Sequence, residues 1–300
     1  MAGFAHPEFL VETDWLEQHL NDPKVVVLDC TTHLIPNPAI TYDVVPGRKE
    51  FEAGHIKGAQ FCDVSRDVSD TSHTFRFMRQ SPDSFAAAMR GFGIDDDTKI
   101  VTYSTTSPQW ASRVWWLLRE FGHDNAAVLN GGWQKWSREN RPSETGPGQG
   151  QGQGQGQAKG GAAGSFKAKG ARGLMADKNA VKAAIGNGAI CTLNALAEAQ
   201  HKATGGNTYG RPGRIAGSVN VPAAQLLDPA TNAFLPADEL RRKFEGVGAM
   251  DREVIVYCGG GIAATADALI LTMLGHTKVS VYDASMSEWA KDDALPMETG

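Results

Sequence analysis

The sequence has no long apolar run and no excess of charge of one sign. No run approaches the roughly 20 apolar residues that a bilayer span needs, so we expect no membrane helix. The 34 acidic and 29 basic side chains leave a net charge of −5. That balance argues against nucleic acid or an anionic membrane as the main partner. The N-terminus lacks the marks of a secretory or transit peptide, and we therefore expect a cytoplasmic protein.

Cysteine is scarce, and its spacing excludes the common cysteine motifs. None of the four cysteines forms C-x-x-C or stands at zinc spacing from a histidine. A chain of 300 residues can bury enough core to fold without disulfides. We therefore expect reduced thiols, no metal and no organic cofactor. The four cysteines are Cys30, Cys62, Cys191 and Cys258.

One segment has no residue that could anchor a core. Residues 143–165 contain a Gly-Gln alternation from Gly148 to Gln157, a composition typical of a flexible linker. It predicts a first domain over residues 1–142 and a second over residues 166–300. The halves share anchors in the same order, which predicts an internal duplication. The anchors are Tyr103 and Tyr257, Gly122-His123 and Gly275-His276, Val128 and Val281, and Trp136 and Trp289.

Each half alternates short apolar runs with segments of helical length. Runs such as Lys24–Asp29 and Val254–Tyr257 are rich in β-branched residues, as buried parallel strands are. Helix-length segments such as Trp110–Phe121 and Ala263–Leu274 lie between such runs. The alternation predicts an α/β fold in which each domain is a mainly parallel sheet flanked by helices.

The most informative segment places a cysteine at the end of a predicted strand. Cys258 follows Tyr257 directly, and three glycines and a helix-forming run follow Cys258. Ligands of open α/β sheets bind at the carboxyl ends of strands. Glycine N–H groups and a helix N-terminus can stabilise an anion there. A thiolate so placed can have a pKa of roughly 3.5–7.5, against about 8.5 when free.

Other functions for this loop remain open, with unequal support. Cys258 could be a structural cysteine in a glycine turn. A cysteine phosphatase or arsenate reductase would need an arginine clamp, but Ala264 stands at that position and no arginine or lysine lies between Cys258 and Lys278. No histidine is tied to Cys258 by a protease signature.

Four motifs together resemble the tandem rhodanese family, which includes thiosulfate and 3-mercaptopyruvate sulfurtransferases. The resemblance implies two rhodanese-like domains, with Cys258 opening a catalytic loop in the second. Ser104 stands where a first-domain cysteine would be, so the first domain should be catalytically inactive. The motifs are Gly54-His55-Ile56-Lys57-Gly58-Ala59, Leu129-Asn-Gly-Gly-Trp133, Gly217-Ser-Val-Asn-Val-Pro222 and Cys258-Gly-Gly-Gly-Ile-Ala263.

The resemblance also implies a set of substrate-binding residues. The loop residues Gly259, Gly260, Gly261, Ile262 and Ala263 would surround the donor, although Ile262 is expected to face the core. The neutral loop is similar to the mercaptopyruvate type, yet Gly260 replaces the hydroxyl residue of that type.

Two further departures concern the charges around the donor. The usual Asp-x-Arg is replaced by Thr192-Leu-Asn194, so Arg211 or Arg214 is expected to bind the donor's anionic group. Asp63 matches an aspartate at the domain interface of the family. The donor therefore stays open between thiosulfate and 3-mercaptopyruvate.

These observations lead to one main functional hypothesis and one rival. The Cys258 thiolate would take sulfur from a small anionic donor, become a persulfide, and pass the sulfur to cyanide or a thiol. A small thiol or a thioredoxin-like protein would be the thiol acceptor. The rival is a non-catalytic rhodanese-fold module that binds a partner or senses oxidants through Cys258.

Overall fold

Ten α-helices and sixteen strands are present in the computed structural model, which describes residues 3–148, 163–206 and 208–300. The helices are α1 Thr13–His19, α2 Arg48–Ala53, α3 Pro82–Gly91, α4 Gln109–Glu120, α5 Gly132–Arg138, α6 Lys178–Ala184, α7 Glu198–His201, α8 Ala237–Glu245, α9 Ala263–Met273 and α10 Ser285–Trp289. The strands of the first half are β1 Leu10–Val11, β2 Val25–Asp29, β3 Thr32–Asn37, β4 Thr41–Pro46, β5 His55–Ile56, β6 Gln60–Phe61, β7 Lys99–Tyr103, β8 Ala126–Leu129 and β9 Ser143–Glu144. Those of the second half are β10 Met175–Ala176, β11 Ile190–Asn194, β12 Arg214–Ile215, β13 Val219–Asn220, β14 Glu253–Tyr257, β15 Val279–Tyr282 and β16 Met297–Glu298.

Two parallel sheets with the same strand order form the centres of the two halves. The first runs β1-β8-β7-β2-β6 and the second runs β10-β15-β14-β11-β13. The central strands pair in register, with Val27 opposite Val101 and Leu193 opposite Val256. All residues of β2 are buried, because helices cover both faces of the sheet. The predicted α/β fold is confirmed, and the equal strand order supports an internal duplication.

Helices α4 and α9 pack against each other and join the two sheet units. The residues from Ala264 to Met273 are all buried, so this stretch of α9 has no solvent-exposed face. Its own sheet covers one side and α4 covers another. The hydroxyl of Thr265 on α9 donates a hydrogen bond to the carbonyl of Gln109 at 3.3 Å. The carboxyl end of β14, where α9 begins, therefore lies beside the first unit.

The predicted linker falls largely on residues 149–162, which lie outside the described residues. Its described ends contact the first unit: β9 pairs antiparallel with β5, and the Gly164 amide donates to the Arg90 carbonyl at 2.9 Å. The division into domains stays a prediction. Over the described ranges, no helix is long and apolar enough to cross a membrane, and no group of three metal-ligating side chains could hold an ion.

An antiparallel hairpin, formed by β3 and β4, follows β2 in the first unit. Three large apolar side chains are exposed on it, namely Ile35, Ile40 and Val45. Its turn reaches the second unit, where the Thr41 hydroxyl donates to the Thr208 carbonyl at 3.0 Å. In the second unit, β11 leads instead to the short helix α7. The hairpin therefore adds residues of the first unit to the region around Cys258.

Candidate active site

Cys258 lies between β14 and α9, as its sequence context predicts, and is 2 % exposed. The segment that begins α10 holds its loop. The Ser285 hydroxyl accepts hydrogen bonds from the amides of Cys258 at 3.0 Å and Gly261 at 3.2 Å. The Ser287 amide donates to the Gly259 carbonyl at 2.8 Å. Two of the loop's N–H groups are thus directed at Ser285 rather than at an anion on Cys258.

The three glycines after Cys258 differ in what a side chain would meet. A Cβ on Gly259 would overlap the ring of Tyr209. Gly261 has φ +72°, and its Cβ would lie 2.5 Å from the Asp283 carbonyl oxygen. A Cβ on Gly260 would make ordinary contacts, at 3.5 Å from Ser287 Oγ and 3.7 Å from the Tyr42 hydroxyl. Packing therefore requires glycine at positions 259 and 261, whereas there is room for a Cβ on Gly260.

The remaining two loop residues lead into the helix. Ile262 is 4 % exposed and belongs to the main apolar core, as expected, and Ala263 is the first residue of α9. In the first unit, Ser104 follows β7 at the position that Cys258 holds after β14, and its hydroxyl donates to the Ser107 carbonyl. The first unit therefore has no thiol at the equivalent strand end.

A buried arginine from the first unit supports the Cys258 loop, and sequence reasoning missed it. Arg113 on α4 has no exposed side-chain surface and forms an ion pair with Asp283 at 2.7 Å. Its Nη1 donates to the Gly261 carbonyl at 3.3 Å, and its Nη2 donates to the Phe77 carbonyl at 2.5 Å. The signal was an arginine at the centre of an apolar helix, where a charge needs a buried partner.

The two arginines predicted to bind the donor are placed elsewhere. Arg211 donates to four backbone carbonyls around the end of α10, those of Trp289, Ala290, Asp292 and Leu295. Arg214 donates to the Gly300 carbonyl at 2.6 Å and pairs with Glu298 at 3.3 Å. Each guanidinium contacts the C-terminal segment, residues 289–300, so neither placement supports the predicted binding of the donor's anionic group.

Asp63 stabilises a turn in the first unit. Its carboxylate accepts from the amide of Ser65 at 3.0 Å and from the hydroxyl of that residue at 2.6 Å. The preceding Cys62 is fully buried, and contact with the Cys30 thiol together with burial raises its pKa well above the usual range. The structure gives Asp63 a local hydrogen-bonding role.

A cavity of about 760 Å³ adjoins the Cys258 loop, between the hairpin and the second unit. Tyr42, Tyr209 and Ser287, which surround Gly259 and Gly260, line its floor. Burial raises the pKa of Tyr42 and of Tyr209, and the nearby charge of Cys258 raises both further. The Cys258 thiol therefore lies beneath two phenols that stay protonated at neutral pH.

The cavity has a positive lining. Arg76 and Lys291 line it, and no carboxylate does so among the residues that the structure describes. The Arg76 guanidinium lies 5.4 Å from the centre of the Tyr42 ring and donates to the Tyr42 carbonyl at 2.9 Å. The Lys291 ammonium lies 5.7 Å from the centre of the Phe75 ring. With two cations and no described carboxylate in its lining, the cavity suits an anion.

The chain is similar to known proteins over almost its whole length. The model of the rhodanese-like domain matches residues 12–139 and 196–292. A sulfur carrier protein of Thermus thermophilus, TtuD, is 31% identical over 99% of both chains. Thiosulfate/3-mercaptopyruvate sulfurtransferase 2 of Arabidopsis thaliana is 31% identical, over 99% of this chain and 88% of its own length.

Solved structures of relatives agree with these matches. The crystal structure of the 3-mercaptopyruvate sulfurtransferase SseA from Escherichia coli superposes with a TM-score of 0.78 at 28% identity. The match covers 93% of this chain and 99% of that one. The likeness therefore extends over both units and includes the region of the Cys258 loop.

Proposed function

We propose that this chain, which belongs to the rhodanese-like family and is a sulfurtransferase, carries sulfur as a persulfide on Cys258. One observation supports the site above others: Cys258 directly follows a central parallel strand and lies near a cavity that two cations and no described carboxylate line. The cavity suits a small anionic donor, such as thiosulfate or 3-mercaptopyruvate. The acceptor would be cyanide or a thiol, on a small molecule or a thioredoxin-like protein. The four free cysteines fit a reducing compartment such as the cytoplasm.

The reaction proceeds in two half-reactions. The Cys258 thiolate attacks the outer sulfur of the donor, an S–S bond forms, and the donor's own bond to that sulfur breaks. Sulfite leaves from thiosulfate, and pyruvate leaves from 3-mercaptopyruvate. An acceptor thiolate then attacks the outer sulfur of the persulfide and restores the Cys258 thiolate. Because the donor product leaves before the acceptor reacts, the kinetics should be ping-pong.

Arg76 and Lys291 are the cations we assign to the donor's anionic group, in place of Arg211 and Arg214. The predicted pair is engaged with the C-terminal segment, whereas Arg76 and Lys291 line the cavity. Neutralising either cation should raise KM for an anionic donor more than it lowers kcat, because it weakens binding in the ground state and the transition state alike. Arg214→Gln provides a matched control that should leave KM unchanged.

Intact-protein mass spectrometry tests the persulfide directly. Wild type and Cys258→Ala are incubated separately with thiosulfate and with 3-mercaptopyruvate, and the mass is compared with that of untreated protein. We expect a gain of one sulfur atom in wild type and none in the variant. A gain that persists in Cys258→Ala would place the sulfur on another thiol and contradict the assignment.

The low exposure of Cys258 favours a second candidate, a module that binds a partner or senses oxidants. At 2 % exposure beside two tyrosines, the thiol offers little surface to a donor. A module of this kind would gain no sulfur from either donor and would bind a partner protein tightly. Sulfur transfer from either donor would exclude it as the main function.

A further inference from the structure

Two hydroxyl groups converge on the one loop glycine that has space beside it. A Cβ on Gly260 would lie 3.5 Å from Ser287 Oγ and 3.7 Å from the Tyr42 hydroxyl. Tyr42 belongs to β4 of the first unit, and Ser287 belongs to α10 of the second. The two side chains interact with each other, and the charge of Cys258 acts on the Tyr42 phenol. A donor whose sulfur reaches Cys258 over Gly260 would therefore meet both hydroxyls.

The hydroxyl pair has an ordered arrangement suited to moving a proton. The Ser287 hydroxyl donates to the Gly259 carbonyl at 2.7 Å, which leaves its oxygen to accept from Tyr42. Tyr42 is 7 % exposed, and burial raises its pKa, so the phenol is a neutral proton donor. Its ring is fixed on one side by Arg76 and stands at an angle of 67° to the ring of Tyr209.

The two donor types differ in whether they need a proton moved. Sulfite leaves thiosulfate as a stable dianion, so that half-reaction requires no proton transfer. When the C–S bond of 3-mercaptopyruvate breaks, its electron pair remains on the methylene carbon as an enolate. That carbon must gain a proton to become the methyl group of pyruvate, and general acid–base catalysis lowers the barrier of such a step.

We infer that Tyr42, assisted by Ser287, is the catalytic residue that moves this proton, and that the site is built for a donor of the 3-mercaptopyruvate type. This inference rests on the proposed function of Cys258. In the step, the Cys258 thiolate bonds to the donor's S–H sulfur and the C–S bond breaks. The Tyr42 phenol gives its proton to the enolate carbon and recovers one from the transferred S–H group. Pyruvate leaves, Cys258 holds a persulfide anion, and Tyr42 is neutral again.

The test compares single-turnover persulfide formation in wild type and Tyr42→Phe with each donor, followed by the gain of one sulfur atom in the protein's mass. Loss of proton transfer through Tyr42 and Ser287, here called the relay, should slow the reaction with 3-mercaptopyruvate by about 100-fold, the lower end for general acid–base catalysis. The rate with thiosulfate should change by no more than about twofold, because no proton is transferred. Ser287→Ala should slow the mercaptopyruvate reaction by a smaller factor, about tenfold.

Tyr209→Phe is the matched control, because Tyr209 also lines the cavity beside the Cys258 loop but its ring covers Gly259. It should change the rates with the two donors by the same factor. An equal loss with both donors in Tyr42→Phe would overturn the relay and leave Tyr42 as a packing residue. A donor-selective loss of equal size in Tyr209→Phe would overturn the assignment to Tyr42.

The thiosulfate reaction separates this inference from the proposed function. If wild type gains sulfur from neither donor, the proposed function fails and the relay fails with it. If wild type and Tyr42→Phe react equally fast with 3-mercaptopyruvate, the relay alone is overturned. A Tyr42→Phe protein that still reacts normally with thiosulfate is folded, so a selective loss cannot be attributed to misfolding.

Discussion

Replacement of Arg113 by methionine should destabilise the protein strongly and disturb the Cys258 loop. Arg113 has no exposed side-chain surface, and its partner Asp283 is 8% exposed, with 2.7 Å between the charged atoms. Methionine keeps much of the volume but leaves the Asp283 carboxylate buried without its cation. Breaking a buried ion pair by removal of one partner costs about 3–5 kcal/mol. We expect a loss of unfolding free energy in that range.

Denaturation in urea, followed by tryptophan fluorescence, measures the loss as a shift of the transition midpoint. The variant Arg242→Met is the matched control, since Arg242 pairs with Asp238 on the surface with 68%/72% of the side chains exposed. Removal of that exposed pair should not measurably change the free energy of unfolding. Persulfide formation should also slow in Arg113→Met, because the Gly261 carbonyl loses the hydrogen bond that positions the loop.

A double variant distinguishes the uncompensated charge from lost packing. Arg113→Met combined with Asp283→Asn removes the buried charge while keeping an oxygen that can accept from the Arg79 amide, now bonded at 2.8 Å. Most of the lost stability should return. If the single variant loses less than about 1 kcal/mol, or the double variant is no more stable than the single one, the ion pair does not stabilise the interface as argued.

Further changes have separate expected outcomes. Gly259→Ala should slow persulfide formation by about 100-fold, because the added methyl group displaces Tyr209. The double variant Gly259→Ala with Tyr209→Ala should recover part of the rate. An unchanged rate in Gly259→Ala would contradict the packing argument. Burial raises the pKa of Asp29 from 3.8 to about 6, so the folded state loses stability as the pH rises through that interval. The unfolding free energy of Asp29→Asn should not fall in this way, so its difference from wild type should grow by up to about 3 kcal/mol as the pH rises from 3.8 to about 6. Urea denaturation measures this difference, and a difference that stays constant with pH would refute the assignment. Asp177→Ala removes the hydrogen-bonding cap of α6 and should lower the unfolding free energy by about 1 kcal/mol.

The sheet units and the reactive strand end could be predicted because their signals are local. Buried parallel strands require continuous β-branched runs, and Cys258 with its glycines lies directly after one of them. The α/β fold and the family were predicted on that basis, and both are confirmed by the comparisons with known proteins. The role of Cys258 remains a prediction with a consistent geometry, whereas the Gly261 amide donates to Ser285 and not towards an anion on Cys258.

The surroundings of Cys258 could not be predicted, because they come from distant parts of the chain. Arg113, Tyr42 and Arg76 reach the second unit from a helix, a hairpin and a loop of the first. No spacing along the sequence relates them to Cys258. Arg211 and Arg214 were predicted to replace the charge of the missing Asp-x-Arg arginine, but backbone carbonyls and Glu298 near the C-terminus occupy their guanidinium groups.

The hairpin formed by β3 and β4 subjects both halves of the chain to evolutionary constraint. The half with Ser104 has no reactive thiol at its strand end, yet it contributes Tyr42 to the cavity floor beside the half that has one. Under the proposed function, selection on sulfur transfer acts on both halves. A mutational scan should find intolerant positions in the half without the thiol, and deletion of that half would remove part of the proposed site in the other. A half with serine at its strand end is retained in this way because it completes the site beside Cys258.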